Sequence, residues 1–463
     1  MKVIQEDIAQ ATYQLAEFIA SVNHQDIPIH VREHAKLTLA DTIGVALRGS
    51  FEPEMKRLYQ KLAKGKGSVI LKSGFPEVDP SVAAFLNATA TCFLELDEGS
   101  RPTGHPSLHV FPVAFALSQA LNKTGADFLT AYILGYEAQY RVQKATSLRK
   151  IVHPHGNFGQ IGAIVAIGKI MEWDVEQLRQ GMNAAAGLTL GTSWQPCLEG
   201  ATVRNAFPGL TAQIAFTVKD LIESGFTGYD RALSETFGEI LGEHFNTGTL
   251  TEEWGQNYGL LDNYFKFHAA CALVHPALDA TANALKGSLT HGEFPIMHVK
   301  NLPNPKAIKG IKVKVAKNAA RLNVLAKGNQ LSAKFSIPYA VAMYLVKGHS
   351  GVENFQGEVL MDQVIVRLAK KVDVEEDAQL SSKWPDEAAA QVTIEMKNGE
   401  ALVGHCSNPY GSSAHPPLKE DLFVKFRSLT DGIFSESTKE DIWEACLDIE
   451  SEKDLSLFFK RNF

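Results

Sequence analysis

Long apolar runs are missing from this 463-residue chain, which excludes a helix able to cross a bilayer. Cysteine is sparse, with Cys92, Cys197, Cys271, Cys406 and Cys446 scattered and odd in number. That argues against a disulfide framework and suits reduced thiols in the cytoplasm. Neither CxxC nor HExxH occurs, so the compact metal-ligand spacings are absent and no metal is expected. The absence of GxSxG removes the usual setting of a nucleophilic serine. Basic patches are lacking as well, and a formal net charge of −7 leaves no attraction for nucleic acid or an anionic membrane. The densest basic stretch, Lys306 to Lys317, alternates with Ile and Val and reads as the solvent face of a strand. Residues Met1 to Ala11 hold no basic segment leading into an apolar core, so no secretory signal is expected.

What is present is an ordinary globular composition, 45% hydrophobic and 21% charged, in a chain long enough for two or three domains. From Ile8 to about Leu260 the apolar residues recur at helical spacing, as in Leu37, Ala40, Ile43, Ala46 and Leu47. Ile161 to Ile170 and Met182 to Leu190 are rich in Gly and Ala, which places them at the centre of a helical domain. Asp174, with Gln177 three residues on, predicts a capping box.

Beyond about Pro276 the pattern alternates. Ile311 to Val315, Gln363 to Arg367, and Gln391 to Met396 with Ala401 to Val403 all read as strands, the last two joined as a hairpin through Asn398-Gly399. Lys334 to Leu345 and Glu376 to Leu380 read as helices covering one sheet face. After Pro416-Pro417 the chain is amphipathic and helical to Phe463. The expectation is a mainly α protein: a large all-helical domain, residues 1–270 plus 412–463, and a smaller α+β lid domain, residues 271–411.

Four polar clusters interrupt the apolar framework. The first, Glu95 to His109, sets three carboxylates (Glu95, Asp97, Glu98), Arg101 and two histidines between two apolar helices. The others are His153-Pro154-His155-Gly156-Asn157, Thr202-Val203-Arg204-Asn205, and Lys266 to Cys271 with His275. Together they predict an acid–base pocket. His105 is fixed between Gly104 and Pro106, whereas His109 reads as a hydrogen-bonded core histidine. His153 or His155 is expected at a helix N-terminus, where backbone N–H groups favour a carboxylate. Gly159, Gly162 and Gly168 follow, yet no strand precedes them and no P-loop lysine follows. A nucleotide loop is therefore rejected, and these glycines read as helix-packing contacts. Arg204 and Lys266 are candidates for carboxylate recognition. Cys271 with a neighbouring histidine offers a thiol mechanism, against the commoner reading of a buried free cysteine.

In this order the clusters resemble the MmgE/PrpD family, which includes 2-methylcitrate dehydratase, cis-aconitate decarboxylase and iminodisuccinate epimerase. The marks are Gly104-His105-Pro106-Ser107, His153-Pro154 before a Gly/Ala helix, Ala201 to Asn205, Tyr264-Phe265-Lys266 with Cys271 and His275 to Ala280, Ala333 to Tyr339, Asn408 to Gly411 and Lys425 to Leu429. The resemblance implies a cleft between a helical body and a lid, a homodimer, no metal or organic cofactor, and proton transfer beside a carboxylate of a small di- or tricarboxylate. By position it assigns His105, His153, Glu95 and Lys266 to catalysis, and Arg204, Asp97, Arg101, His155 and Cys271 to substrate binding. Arg204 stands where dehydratase and decarboxylase members have lysine, Cys271 where the decarboxylase has a further histidine, and Glu95 and Gly99 alter the acidic run. These departures count most against cis-aconitate decarboxylation. The leading expectation is a 2-methylcitrate-dehydratase-like lyase. The alternatives are an epimerase or isomerase of an amino- or imino-dicarboxylate, and a non-catalytic carboxylate-binding protein.

Overall fold

The computed structural model describes residues 2–63, 77–289, 291 and 293–458. Its helical part is organised around the helix Gly159–Ile170, which packs on helices Pro106–Ala120, Gly125–Ala145, Val175–Gly187 and Phe207–Glu223. Small residues make this possible. A Cβ on Gly162 would lie 2.7 Å from the Gly135 carbonyl oxygen, and one on Gly135 would lie 2.6 Å from that of Gly162. The two backbones therefore touch, and the glycines are packing contacts as their spacing implied. Asp174 caps Val175–Gly187 and Gln177 completes the box.

After the polar segment around His275 comes a four-stranded sheet in the order Ala401–Cys406, Ala390–Met396, Ile308–Val315, Val372–Glu376. The first three strands are antiparallel, and the last pairs in parallel with Ile308–Val315. Val313 stands beside Val392 and Val374, and Ile311 beside Ile394 and Val372, so one face is apolar in register. Helix His275–Ala284 covers the hairpin so closely that a Cβ on Gly404 would lie 2.0 Å from the Ala280 carbonyl oxygen. Lys312 and Lys314 face outward, as expected.

Three local expectations are corrected. Gln363–Ala369 is a helix, not a strand: Asp362 caps it by accepting from the Val364 N–H, and Ile365, Leu368 and Ala369 bury one face at helical spacing. The predicted Lys334–Leu345 helix is two, Gln330–Lys334 and Ile337–Lys347, because Ser336 caps the second and Pro338 fits only its first turn. Glu376 closes a strand, and Asp377 caps the short helix Ala378–Ser382. The hairpin is present, but only Gly399 of its turn has positive φ, so the connection is the longer one closed by a left-handed glycine.

Helices Lys419–Leu429 and Glu436–Leu447 return to pack on Ile29–Gly49, with Phe426 over Gly44 and Lys425 paired to the buried Asp41 at 2.7 Å. Leu422, Phe426, Ile442 and Trp443 thus belong to the core of the helical part, while the sheet and its helices bury a second core. The end of the expected tail, residues 459–463, lies outside the described residues. Among the described residues no helix is long and apolar enough to cross a membrane.

Candidate active site

The acidic run lies between helix Pro80–Cys92 and helix Pro106–Ala120. Glu95 adopts φ +56°, a left-handed conformation that a non-glycine residue holds only when its surroundings demand it. Arg204 and Lys266 supply that demand. Glu95 pairs with the Arg204 guanidinium, and its other oxygen lies 3.4 Å from Lys266 Nζ. Lys266 also lies 3.4 Å from Asp97 Oδ1, and Asp97 Oδ2 lies 2.8 Å from His105 Nδ1. Charges therefore alternate from Arg204 through Glu95 and Lys266 to Asp97, whose Oδ2 faces the His105 ring. Burial would discharge Lys266, but its neighbours win: Asp97 and Glu95 hold the ammonium above its ordinary pKa. Against the same burial, Lys266 and His105 pull the Asp97 carboxyl below the usual range.

The proton positions follow from hydrogen-bond partners. His105 Nδ1–H donates to the Glu98 carbonyl at 2.7 Å, and Asp97 Oδ2 lies as near, at 2.8 Å, so two acceptors hold the ring proton on Nδ1. This leaves the His105 Nε2 lone pair unengaged by protein. The carboxylate of Glu98 accepts from the Ser107 N–H at 2.7 Å and from the Tyr136 hydroxyl at 2.9 Å, fixing the start of the helix that carries His105. Burial pushes the Glu98 carboxyl up to about 8.

In the second cluster the backbone N–H of His155 donates to His153 Nδ1 at 3.0 Å. Burial, with the Arg204 charge added, pushes His153 well below its usual pKa. A neutral ring that accepts at Nδ1 carries its proton on Nε2. Behind it, the Thr211 hydroxyl donates to the Pro208 carbonyl at 2.6 Å and so accepts from His109 Nδ1 at 2.9 Å. His109 Nε2 then accepts from His155 Nδ1 at 3.3 Å. His109 is thus the hydrogen-bonded core histidine expected, and it also orients His155. Neither His153 nor His155 sits at a helix N-terminus, since helix Gly159–Ile170 starts four residues beyond His155. The ring of His155 stacks between those of His105 and His153, with centroids 4.6 and 5.0 Å away.

These groups border a cavity of about 340 Å³ between the helical part and the sheet part. His105, His153, Glu95, Arg204, Arg101 and Cys271 line it. Asp97, Lys266 and His155 stand behind the wall, in contact with Glu95, His105 and His153. Arg204 gives Nη1 to Glu95 and to Cys92 Sγ, while its buried Nε has no protein partner. Its guanidinium lies 5.0 Å from the Phe335 ring. Arg101 is largely committed: one nitrogen donates to the Pro385 and Asp386 carbonyls at 3.2 Å and to Asn408 Oδ1 at 2.8 Å. Burial pushes the Cys271 thiol up to about 11, which removes it as a nucleophile near neutral pH. Gly99 is explained by Tyr264, whose hydroxyl would lie 2.4 Å from a Cβ there.

Asp97, His105 and His155 bring one ligand atom each within 4.8 Å of one another. Their negative charge is already matched by Lys266, so a divalent cation there would meet an ammonium at close range. Trp194, Phe335, Tyr264 and Arg321 complete the cavity wall and were not selected as site residues from the sequence. Thr211 had no signal at all, because its role exists only where two helices cross.

The chain matches the MmgE/PrpD N-terminal domain over residues 13–246 and the MmgE/PrpD C-terminal domain over residues 268–450. It belongs to the MmgE/PrpD family. Among curated relatives of this family member, the cis-aconitate decarboxylase of Mus musculus is 24% identical over 456 residues, covering 94% of this chain and 89% of the relative. The human cis-aconitate decarboxylase is 24% identical over 475 residues, covering 99% and 94%. That of Aspergillus terreus is 22% identical over 472 residues, covering 96% and 94%. A lyase-type family is thereby established for the chain.

Proposed function

We propose that the protein is a cofactor-independent hydro-lyase that eliminates water from a small hydroxy di- or tricarboxylate of the 2-methylcitrate type. The observation that carries this reading is the opposite proton placement on the two cavity histidines, a free lone pair on His105 Nε2 and a proton on His153 Nε2. A carboxylate of the substrate pairs with the open edge of Arg204. His105 removes the proton beside it, and the electron pair left behind forms the C=C bond as the C–O bond breaks. His153 donates its N–H hydrogen bond to the departing hydroxyl, and the proton taken by His105 completes a water molecule. The field of Arg204 and Lys266 stabilises the enediolate charge that builds up on the way.

Epimerisation needs a proton donor on the face of the carbon opposite the base, and it is disfavoured because His105 and His153 flank His155 in one stacked wall. Decarboxylation is the activity named for the curated relatives. It is disfavoured here by Cys271, a protonated thiol where the resemblance puts a histidine. The lid is taken as residues 271–411, the body as 1–270 with 412–463, and the assembly as a homodimer, to be checked by sedimentation.

Proton NMR in D2O with 2-methylcitrate, citrate, cis-aconitate and an aminodicarboxylate tests the activity. New olefinic signals from a hydroxy acid are expected. Deuterium uptake at carbon without an olefin would turn the assignment to an epimerase, and bicarbonate release to a decarboxylase.

A further inference from the structure

Outside the inner cavity lies a second, of about 830 Å³, and the two share Lys150, Trp194, Ala316, Asn318, Arg321 and Trp384. Arg321 stands at the partition. It follows the short helix Lys317–Ala320 of the sheet part, yet its Nη1 donates across the cleft to the Lys150 carbonyl at 3.0 Å. Its guanidinium lies 4.9 Å from the Trp194 ring, and Nε is held by the Asn318 carbonyl at 2.9 Å. A mirror bracket closes the other side: Arg101 of the helical part lies over Trp384 of the sheet part, 5.8 Å from its ring. Among the described residues neither arginine has an ion-pair partner, and each is held by carbonyls and an aromatic face.

The outer cavity has its own charge pattern. Lys150, Lys317 and Arg321 line it, and no Asp or Glu does. Neither lysine ammonium has a hydrogen-bonding or ion-pair partner among the described residues. On a protein of net charge −7, a recess bearing three cations and no acid is a local reversal of potential. Leu198 and Trp384, both half-buried, add apolar surface beside these cations.

We propose that the outer cavity is an anion-capturing antechamber, and that Arg321 is the door through which di- and tricarboxylates pass to the His105–His153 chamber. Capture is by Lys150 and Lys317. Passage requires Arg321 to leave the Lys150 carbonyl and swing off Trp194, and an incoming carboxylate supplies the replacement acceptor. The inference rests on the polycarboxylate reading of the inner cavity.

Stopped-flow tryptophan fluorescence on the full chain, with citrate and succinate as probes, tests this across a range of salt. In the wild type the association rate should fall steeply with ionic strength. Lys150→Gln with Lys317→Gln should lower the low-salt association rate about 3–10-fold and flatten its salt dependence, with dissociation unchanged. Arg321→Gln should raise association and dissociation together, as expected when a door is removed. A salt-independent wild type, no binding of either probe, or a double lysine variant with wild-type association would overturn the antechamber. A rise in dissociation alone for Arg321→Gln would make Arg321 an ordinary ligand and overturn the door. Failure of the hydro-lyase reading is separately visible, as citrate capture without olefin formation from any hydroxy acid.

Discussion

The backbone N–H of His155 donates to Nδ1 of His153, 3.0 Å away. This one bond decides which nitrogen of His153 faces the cavity with a proton, and hence that this ring is a donor and not a base. On the other side of the His155 ring, the Glu98 carbonyl does the converse for His105. The proton positions on the two rings are thus set by main-chain groups on two different loops.

His105→Asn should lower turnover by about 10²–10⁴-fold while leaving citrate affinity and the circular dichroism spectrum near wild type. A variant retaining full turnover would remove His105 from the proton transfer.

Thr211→Val removes the acceptor for His109 Nδ1–H, so the His109 proton should move to Nε2 and disturb His155. The expected result is an altered nitrogen-15 tautomer pattern for His155 and a changed pH profile of kcat with little change in KM. Thr211→Ser should restore both. A wild-type pH profile in Thr211→Val would show that the relay is only structural.

Arg204→Met leaves Glu95 buried beside a single remaining cation and should cost about 3–5 kcal/mol of stability. Glu95→Gln with Arg204→Met should recover much of that stability in denaturant titrations but none of the activity, since the substrate carboxylate has lost its partner.

Glu98 has its carboxyl raised to about 8 by burial, above the unfolded value of about 4.5. The folded state therefore holds this proton longer than the unfolded state, and the associated stability, fully present below pH ~4.5, is lost as pH rises through ~8. Glu98→Gln mimics the protonated form and should flatten that decline, an effect on the order of a few kcal/mol at most. An unchanged slope of stability between pH 5 and 8 would refute the assignment.

Legibility in the sequence followed the range of the interaction. Asp174 with Gln177 was readable because a capping box is completed within four residues, and the hairpin because Asn398-Gly399 is local turn chemistry. Gln363 to Arg367 misled because three β-branched residues, Val364, Ile365 and Val366, between two polar ones favour a strand. The buried set, Ile365, Leu368 and Ala369, emerges only once the helix docks against Ile337–Lys347. Arg101 lines the cavity, but its protein partners, the Asp386 carbonyl and Asn408 Oδ1, stand about three hundred residues away in the chain, where no local pattern could name them.

By itself the sequence determined where titratable groups cluster and most of the elements that flank them, because burial periodicity, caps and clustered titratable groups are properties of short segments. It determined the mainly α fold with an appended sheet, and it placed His105, His153, Glu95 and Arg204 in one set. Tertiary structure alone decided that Lys266 and Asp97 stand behind the cavity wall, that the His155 ring stacks between those of His105 and His153, and that Thr211 holds His109 behind it. Hydrogen-bond direction and charge pairing depend on distances of about 3 Å between groups far apart in the chain, and no pattern along a chain encodes those.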